Sequence, residues 1–110
     1  MEKRYNTLKT FYPYYLLEHS NATTRQLHYI GTSLFILIML YGLLTAHWGI
    51  LIWAPLAGYG FAWFGHFFFE KNRPATFKYP LYSLVSDFIM LYHFFTGQIS
   101  ERIQAARSSL

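Results

Sequence analysis

The chain contains no cysteine. Disulfides and thiolate metal sites are therefore excluded, and any metal must be bound through nitrogen or oxygen. Charge is the second scarcity. Only 13% of the 110 residues are charged, against roughly 25% in an ordinary soluble domain. That is too few to cover a water-facing surface. Between residues 27 and 69 there is no Asp, Glu, Lys or Arg, a run far longer than the ~20 apolar residues that cross a bilayer. No cleavable signal segment is expected either, because "MEKRYNTLKTFYPYY" is polar and then aromatic.

In place of charge there is apolar surface: 54% of residues are hydrophobic and 22% aromatic. The charge-free run is broken once, at "TAHWG". Two membrane helices follow, over residues 26–46 and 50–69, joined by a tight turn. A third apolar segment, 80–97, holds a single charge, Asp87. The mean hydropathy of +0.18 is low for a membrane protein, but tyrosines and polar ends depress the mean, and the windows decide. Tyr29, Trp48, Trp53, Tyr79 and Tyr82 near segment ends suit the aromatic belts of a membrane interface. The expected fold is all-α, a multi-pass transmembrane helical bundle made of an antiparallel hairpin plus a third membrane segment, in a single domain over 1–110. A soluble bundle with a buried hairpin is the weaker alternative.

Net charge is +4. Lys3, Arg4, Lys9 and Arg25 precede the first long helix, Lys71, Arg73 and Lys78 follow the second, and the turn between them has no Lys or Arg. The positive-inside rule puts the N-terminus and the 70–79 loop together on the cytoplasmic face. The membrane would be a bacterial inner membrane, or the endoplasmic reticulum in a eukaryote. The basic residues do not interleave with exposed aromatics, so they suit a lipid surface rather than nucleic acid. Arg102 and Arg107 would lie on the opposite face if the third segment spanned, in mild conflict with that rule. A re-entrant or tilted third segment therefore stays open.

Of the five histidines, three converge by depth. A run of N-cap residues at 21–24 starts the first helix and places His28 about 6–10 Å inside it. His66 lies one turn before the polar end of the second helix, at a similar depth, and antiparallel neighbours can bring the two face to face. His19 and His28 are nine apart, about 900° on one continuous helix, and so on opposite faces. They meet only if the helix begins between them, which the cap run allows. His47 sits about 25–30 Å away at the turn, and His93 about 19 Å beyond Pro80. Any one histidine is more often a hydrogen-bonded interfacial residue than a ligand; convergence is what singles out His19, His28 and His66. Three imidazoles suit Fe(II), Zn(II), Cu(II) or Ni(II). Three ligands with open positions suit catalysis better than a closed structural zinc site does. Glu70, one turn from His66, could ligate or could orient an imidazole. Asp87 lies near the same depth, where an ionisable group marks a functional site by default. A partner for Arg25, Arg73 or an imidazole is its more expected role.

"EHSNATTRQLHYIG" and "GHFFFEKNRPATFKYPLYSL" resemble the membrane family of the fungal 2-hydroxy fatty acid dioxygenase of phytosphingosine degradation. The matching pattern is His19, Asn21 and His28, then Gly65-His66 and Glu70-Lys71-Asn72-Arg73-Pro74-Ala75. The two blocks cover about a third of the chain, and the second is the more specific. The resemblance implies an Fe(II)-dependent oxygenase that uses O2 to shorten 2-hydroxy fatty acids by one carbon. His19, His28 and His66 would be its iron ligands; beside what the resemblance implies, Glu70 and Asn21 are expected to support them from outside. It also gives Lys71 and Arg73 a possible task, holding the substrate carboxylate. Plain topology and lipid headgroup contact would explain the same two charges. A zinc-dependent membrane lipid hydrolase and a non-catalytic scaffold or small transporter are the alternatives.

Overall fold

The computed structural model describes residues 5–73 and 78–109, and among these every regular element is helical. Lys3, Arg4, Pro74 and Ala75, which figured in the charge and motif readings, lie outside the described residues.

α1 (Leu8–Leu17) starts where the Thr7 hydroxyl accepts a hydrogen bond from the Thr10 backbone N–H at 3.2 Å. It ends before His19. α2 (Ala22–Leu44) opens on Asn21, whose side-chain oxygen accepts from the Thr23 N–H at 2.8 Å. The cap run therefore breaks the chain between His19 and His28, as the spacing required. At 23 residues, α2 is about 35 Å long. Among the described residues it is the one helix long and apolar enough to cross a membrane.

The expected second helix is present but divided. A 3-10 turn (Trp48–Ile52) leads into α3 (Trp53–Gly65), which passes without interruption into a π-helical turn (His66–Glu70). α3 packs against α2 through glycine. A Cβ on Gly31 would lie 3.0 Å from both the Gly58 carbonyl oxygen and the Phe61 Cβ. A Cβ on Gly65 would lie 3.0 Å from the Thr24 methyl. The backbones approach closely because these side chains are missing.

α4 (Pro80–Phe95) runs antiparallel to α2. Tyr29 stacks on Phe94 with ring centroids 4.2 Å apart, and Phe35 meets Phe88 edge-on at 5.8 Å. α4 has 16 residues, about 24 Å, and it stops at a glycine. Gly97 takes φ +73°, the Gln98 N–H returns to the His93 carbonyl at 2.8 Å, and the Gly97 N–H returns to that of Phe94 at 3.2 Å. This is the Schellman arrangement. The expected third membrane segment is therefore a shorter helix that turns one face, Ser83, Ser86, Met90 and His93, into the protein. α5 (Ile99–Ser109) folds back over α1 and buries Ile103 and Ala106. The main core lies between α1, α4 and α5, around Phe11, Tyr15, Leu16 and Met90. The histidines sit where this layer meets the α2–α3 hairpin.

Candidate metal centre

Three chain segments bring the imidazoles together. His19 lies in the turn after α1, and Arg25 folds that turn over the start of α2 by donating from Nη1 to the His19 carbonyl at 2.8 Å and the Ser20 carbonyl at 2.9 Å. His28 lies two turns into α2. His66 opens the π turn at the end of α3. Their ligand nitrogens all fall within 4.8 Å of one another. His19 Nε2 is 3.0 Å from His28 Nε2, and His28 Nε2 is 3.2 Å from His66 Nε2. None of the three residues is more than 4% exposed, so water does not separate them.

The outward-facing nitrogens decide what this cluster can hold. His19 Nδ1 lies 2.6 Å from the Tyr15 backbone carbonyl, His28 Nδ1 3.2 Å from Asp87 Oδ1, and His66 Nδ1 2.7 Å from Asn72 Oδ1. A carbonyl can only accept. Asn72 is oriented by its own amide, whose Nδ2 donates to the Glu18 carbonyl at 3.1 Å and the Glu18 carboxylate at 3.2 Å. Each Nδ1 therefore carries the proton, and each Nε2 presents a lone pair to the others. Burial, and then the nearby His28 and His66, hold the His19 pKa well below its usual value, so that imidazole stays neutral. Three buried lone pairs aimed at one another with no donor between them are unfavourable unless something positive sits among them. The donor set fits a borderline divalent metal ion.

The other residues singled out from sequence take different places. Glu70 reaches no imidazole in the hydrogen bonds among the described residues. Its carboxylate accepts from the Asn21 backbone N–H and, at 3.3 Å, from the Ser20 hydroxyl. Glu70 and Asn21 thus join the π turn to the start of α2. The group that orients His66 is Asn72, which the sequence did not single out. Lys71 and Arg73 are exposed on the segment after the π turn, with Lys71 in the left-handed region at φ 58°. Of the partners weighed for Asp87, the structure selects an imidazole, that of His28. The Tyr15 hydroxyl donates to the same carboxylate oxygen. His47 is exposed at the distant turn and bonds Thr45 at 2.6 Å. His93 is buried elsewhere, against Tyr12 at 2.7 Å.

The family model described as 2-hydroxy-palmitic acid dioxygenase Mpo1-like matches residues 5–99. No curated protein and no solved structure matches the chain. The match covers all three histidines and both motif blocks, and the chain belongs to this family.

Proposed function

We propose that this chain is an Fe(II)-dependent membrane dioxygenase that shortens 2-hydroxy fatty acids by one carbon. The observation that carries it is the convergence of three acceptor-only Nε2 atoms, in a member of a family described as a dioxygenase. His19, His28 and His66 would hold the metal. Three protein ligands leave positions for a substrate and O2. Iron, when bound, supplies the O2 chemistry that no side chain here offers. Overall, one 2-hydroxy acid and one O2 give a fatty acid one carbon shorter, CO2 and water.

The chain's own residues bind, orient and exclude water. The Tyr15 carbonyl, Asp87 and Asn72 hold the imidazole rings in one tautomer and one orientation. Burial keeps bulk water away from the centre. Lys71 and Arg73 stand just past the π turn, where a guanidinium can grip a carboxylate through two hydrogen bonds. The acyl tail would lie along the apolar helices. The α2–α3 hairpin is the part we place in the bilayer as two passes. Leu44 is 82% exposed, Ile52 65% and Trp48 63%, and such a surface is suited to lipid rather than water.

The test is direct. The protein is purified in detergent, its metal measured, and the protein then supplied with Fe(II), O2 and a 2-hydroxy fatty acid. The expected product is the acid one carbon shorter. His66→Ala should lose bound iron and product together, and His47→Ala should keep both. Stoichiometric zinc with turnover in the absence of O2 would overturn the proposal in favour of a lipid hydrolase. Intact biological function after replacing all three histidines would favour a scaffold.

A further inference from the structure

The three imidazoles are not anchored alike. His19 and His66 donate to neutral oxygens, a backbone carbonyl and an amide, while His28 donates to a carboxylate. That carboxylate is unusual. Asp87 has a side chain only 16% exposed, and among the described residues its one ion pair is with His28. It also lines a narrow crevice between α2, α3 and α4, walled by Phe35, Gly58 and Phe88. A carboxylate with no Lys or Arg in so apolar a setting is costly. A divalent ion held by three neutral imidazoles would keep its full double positive charge in the same low-dielectric interior, and Asp87 would offset it through the ring of His28.

Tyr15 ties this pair to a second ligand. Its hydroxyl donates to Asp87, its backbone carbonyl accepts from His19, and its ring lies over the His19 ring with centroids 4.2 Å apart. One α1 residue thereby touches the supports of two ligands on two different segments.

We propose that Asp87, held by Tyr15, is the anionic positioning residue of the metal centre: it fixes the His28 tautomer and supplies the counter-charge that three neutral imidazoles lack. The inference rests on the histidine cluster being a metal site. It is independent of which metal is native and which reaction follows.

The test uses Co(II) alone, titrated into the metal-free protein of residues 1–110 in detergent and read by its visible absorption. Asp87→Asn preserves shape and removes charge. It should weaken Co(II) binding roughly ten- to a hundredfold, the usual effect of losing such a support, and shift the absorption band. Tyr15→Phe, which keeps the ring and the backbone carbonyl, should weaken binding by less. Circular dichroism confirms that helix content is retained, and Tyr15→Phe carries the test alone if Asp87→Asn does not fold. A purely structural role predicts wild-type affinity and an unchanged band in both isosteric variants, and that result would overturn the proposal. If the wild-type protein itself fails to bind Co(II), the metal site falls, and this inference with it. Tight wild-type binding with unaffected variants removes only the role of Asp87.

Discussion

An imidazole binds a metal only through a nitrogen that carries no proton, so an acceptor at one nitrogen fixes which of the two is free to ligate. His19, His28 and His66 each have such an acceptor. His47 has one too, since the Thr45 hydroxyl gives its proton to the Tyr41 carbonyl and accepts from His47 Nδ1, but it stands exposed at the far turn, and His93 meets the Tyr12 hydroxyl away from the other imidazoles. The grouping of the three histidines was legible from depth and chain direction, because both follow from helix rise and a hairpin. Of the supporting groups, Asp87 was legible as a partner for an imidazole, and it bonds His28; the Tyr15 carbonyl and Asn72 were not legible, because they depend on local backbone. Asn72 reaches back six positions to His66, a spacing that no α-helical periodicity suggests; its only signal was a position just past the helix, beside the Arg-Pro. Arg73 is the residue whose task is most open to test. If it holds the substrate carboxylate, Arg73→Ala should lower apparent substrate affinity roughly ten- to a hundredfold with bound metal unchanged. Arg73→Lys should restore it only in part, since an ammonium lacks the two-pronged geometry. Substrate-dependence curves, with iron content measured in each variant, decide this. Full rescue by Lys would leave Arg73 as a topology charge.

At the level of elements, two irregular features shape the centre. The first is the π turn at residues 66–70. Its wide winding lets the Asn72 N–H bond the His66 carbonyl at 3.0 Å while the Asn72 side chain reaches the imidazole of the same residue. π turns recur at functional sites, and here one sets the orientation of the His66 ring. The second is the glycine seam between α2 and α3, which fixes how near His28 can come to His66. Gly31→Ala would drive a methyl group to 3.0 Å from the Gly58 carbonyl oxygen and 3.2 Å from that of Ala57. Backbone cannot swing aside as a side chain can, so the helices must part, at a cost of about 1–3 kcal/mol. A Cβ on Gly60 meets nothing within 4 Å, and alanine there should be neutral or stabilising by about 1 kcal/mol, from helix propensity alone. Thermal unfolding in detergent should show a lower midpoint for Gly31→Ala than for Gly60→Ala. Equal midpoints would mean that the close seam contributes nothing. The return of α5 over α1 had no local signal, since it depends on Gly97 ending α4 and on burial by a helix far away in sequence.

For the whole molecule, polarity runs along the hairpin. The histidine cluster, Arg25, Lys71 and Arg73 gather at one end of α2 and α3. The other end, at residues 44–53, presents Leu44, Trp48, Ile52 and Trp53, all more than half exposed, with no charged residue among them. A helix of about 35 Å with only 28% of its apolar window buried is a poor core helix for a soluble protein and a suitable span for a ~30 Å hydrocarbon layer. α4, at about 24 Å, is shorter than that layer. If the hairpin crosses twice, Thr7 and Lys71 lie on one face of the membrane and His47 on the other. The absence of cysteine makes this measurable without background. Single substitutions Thr7→Cys and Lys71→Cys, in sealed vesicles of known orientation, should react with a membrane-impermeant thiol reagent from the same side, and His47→Cys only from the opposite side. Because positive charge sits with Thr7 and Lys71, that shared side should be the cytoplasmic one. Reaction of all three cysteines from one side would mean that the hairpin does not cross. The exposed apolar end at residues 44–53 would then have to be covered by something other than the two leaflets of a bilayer.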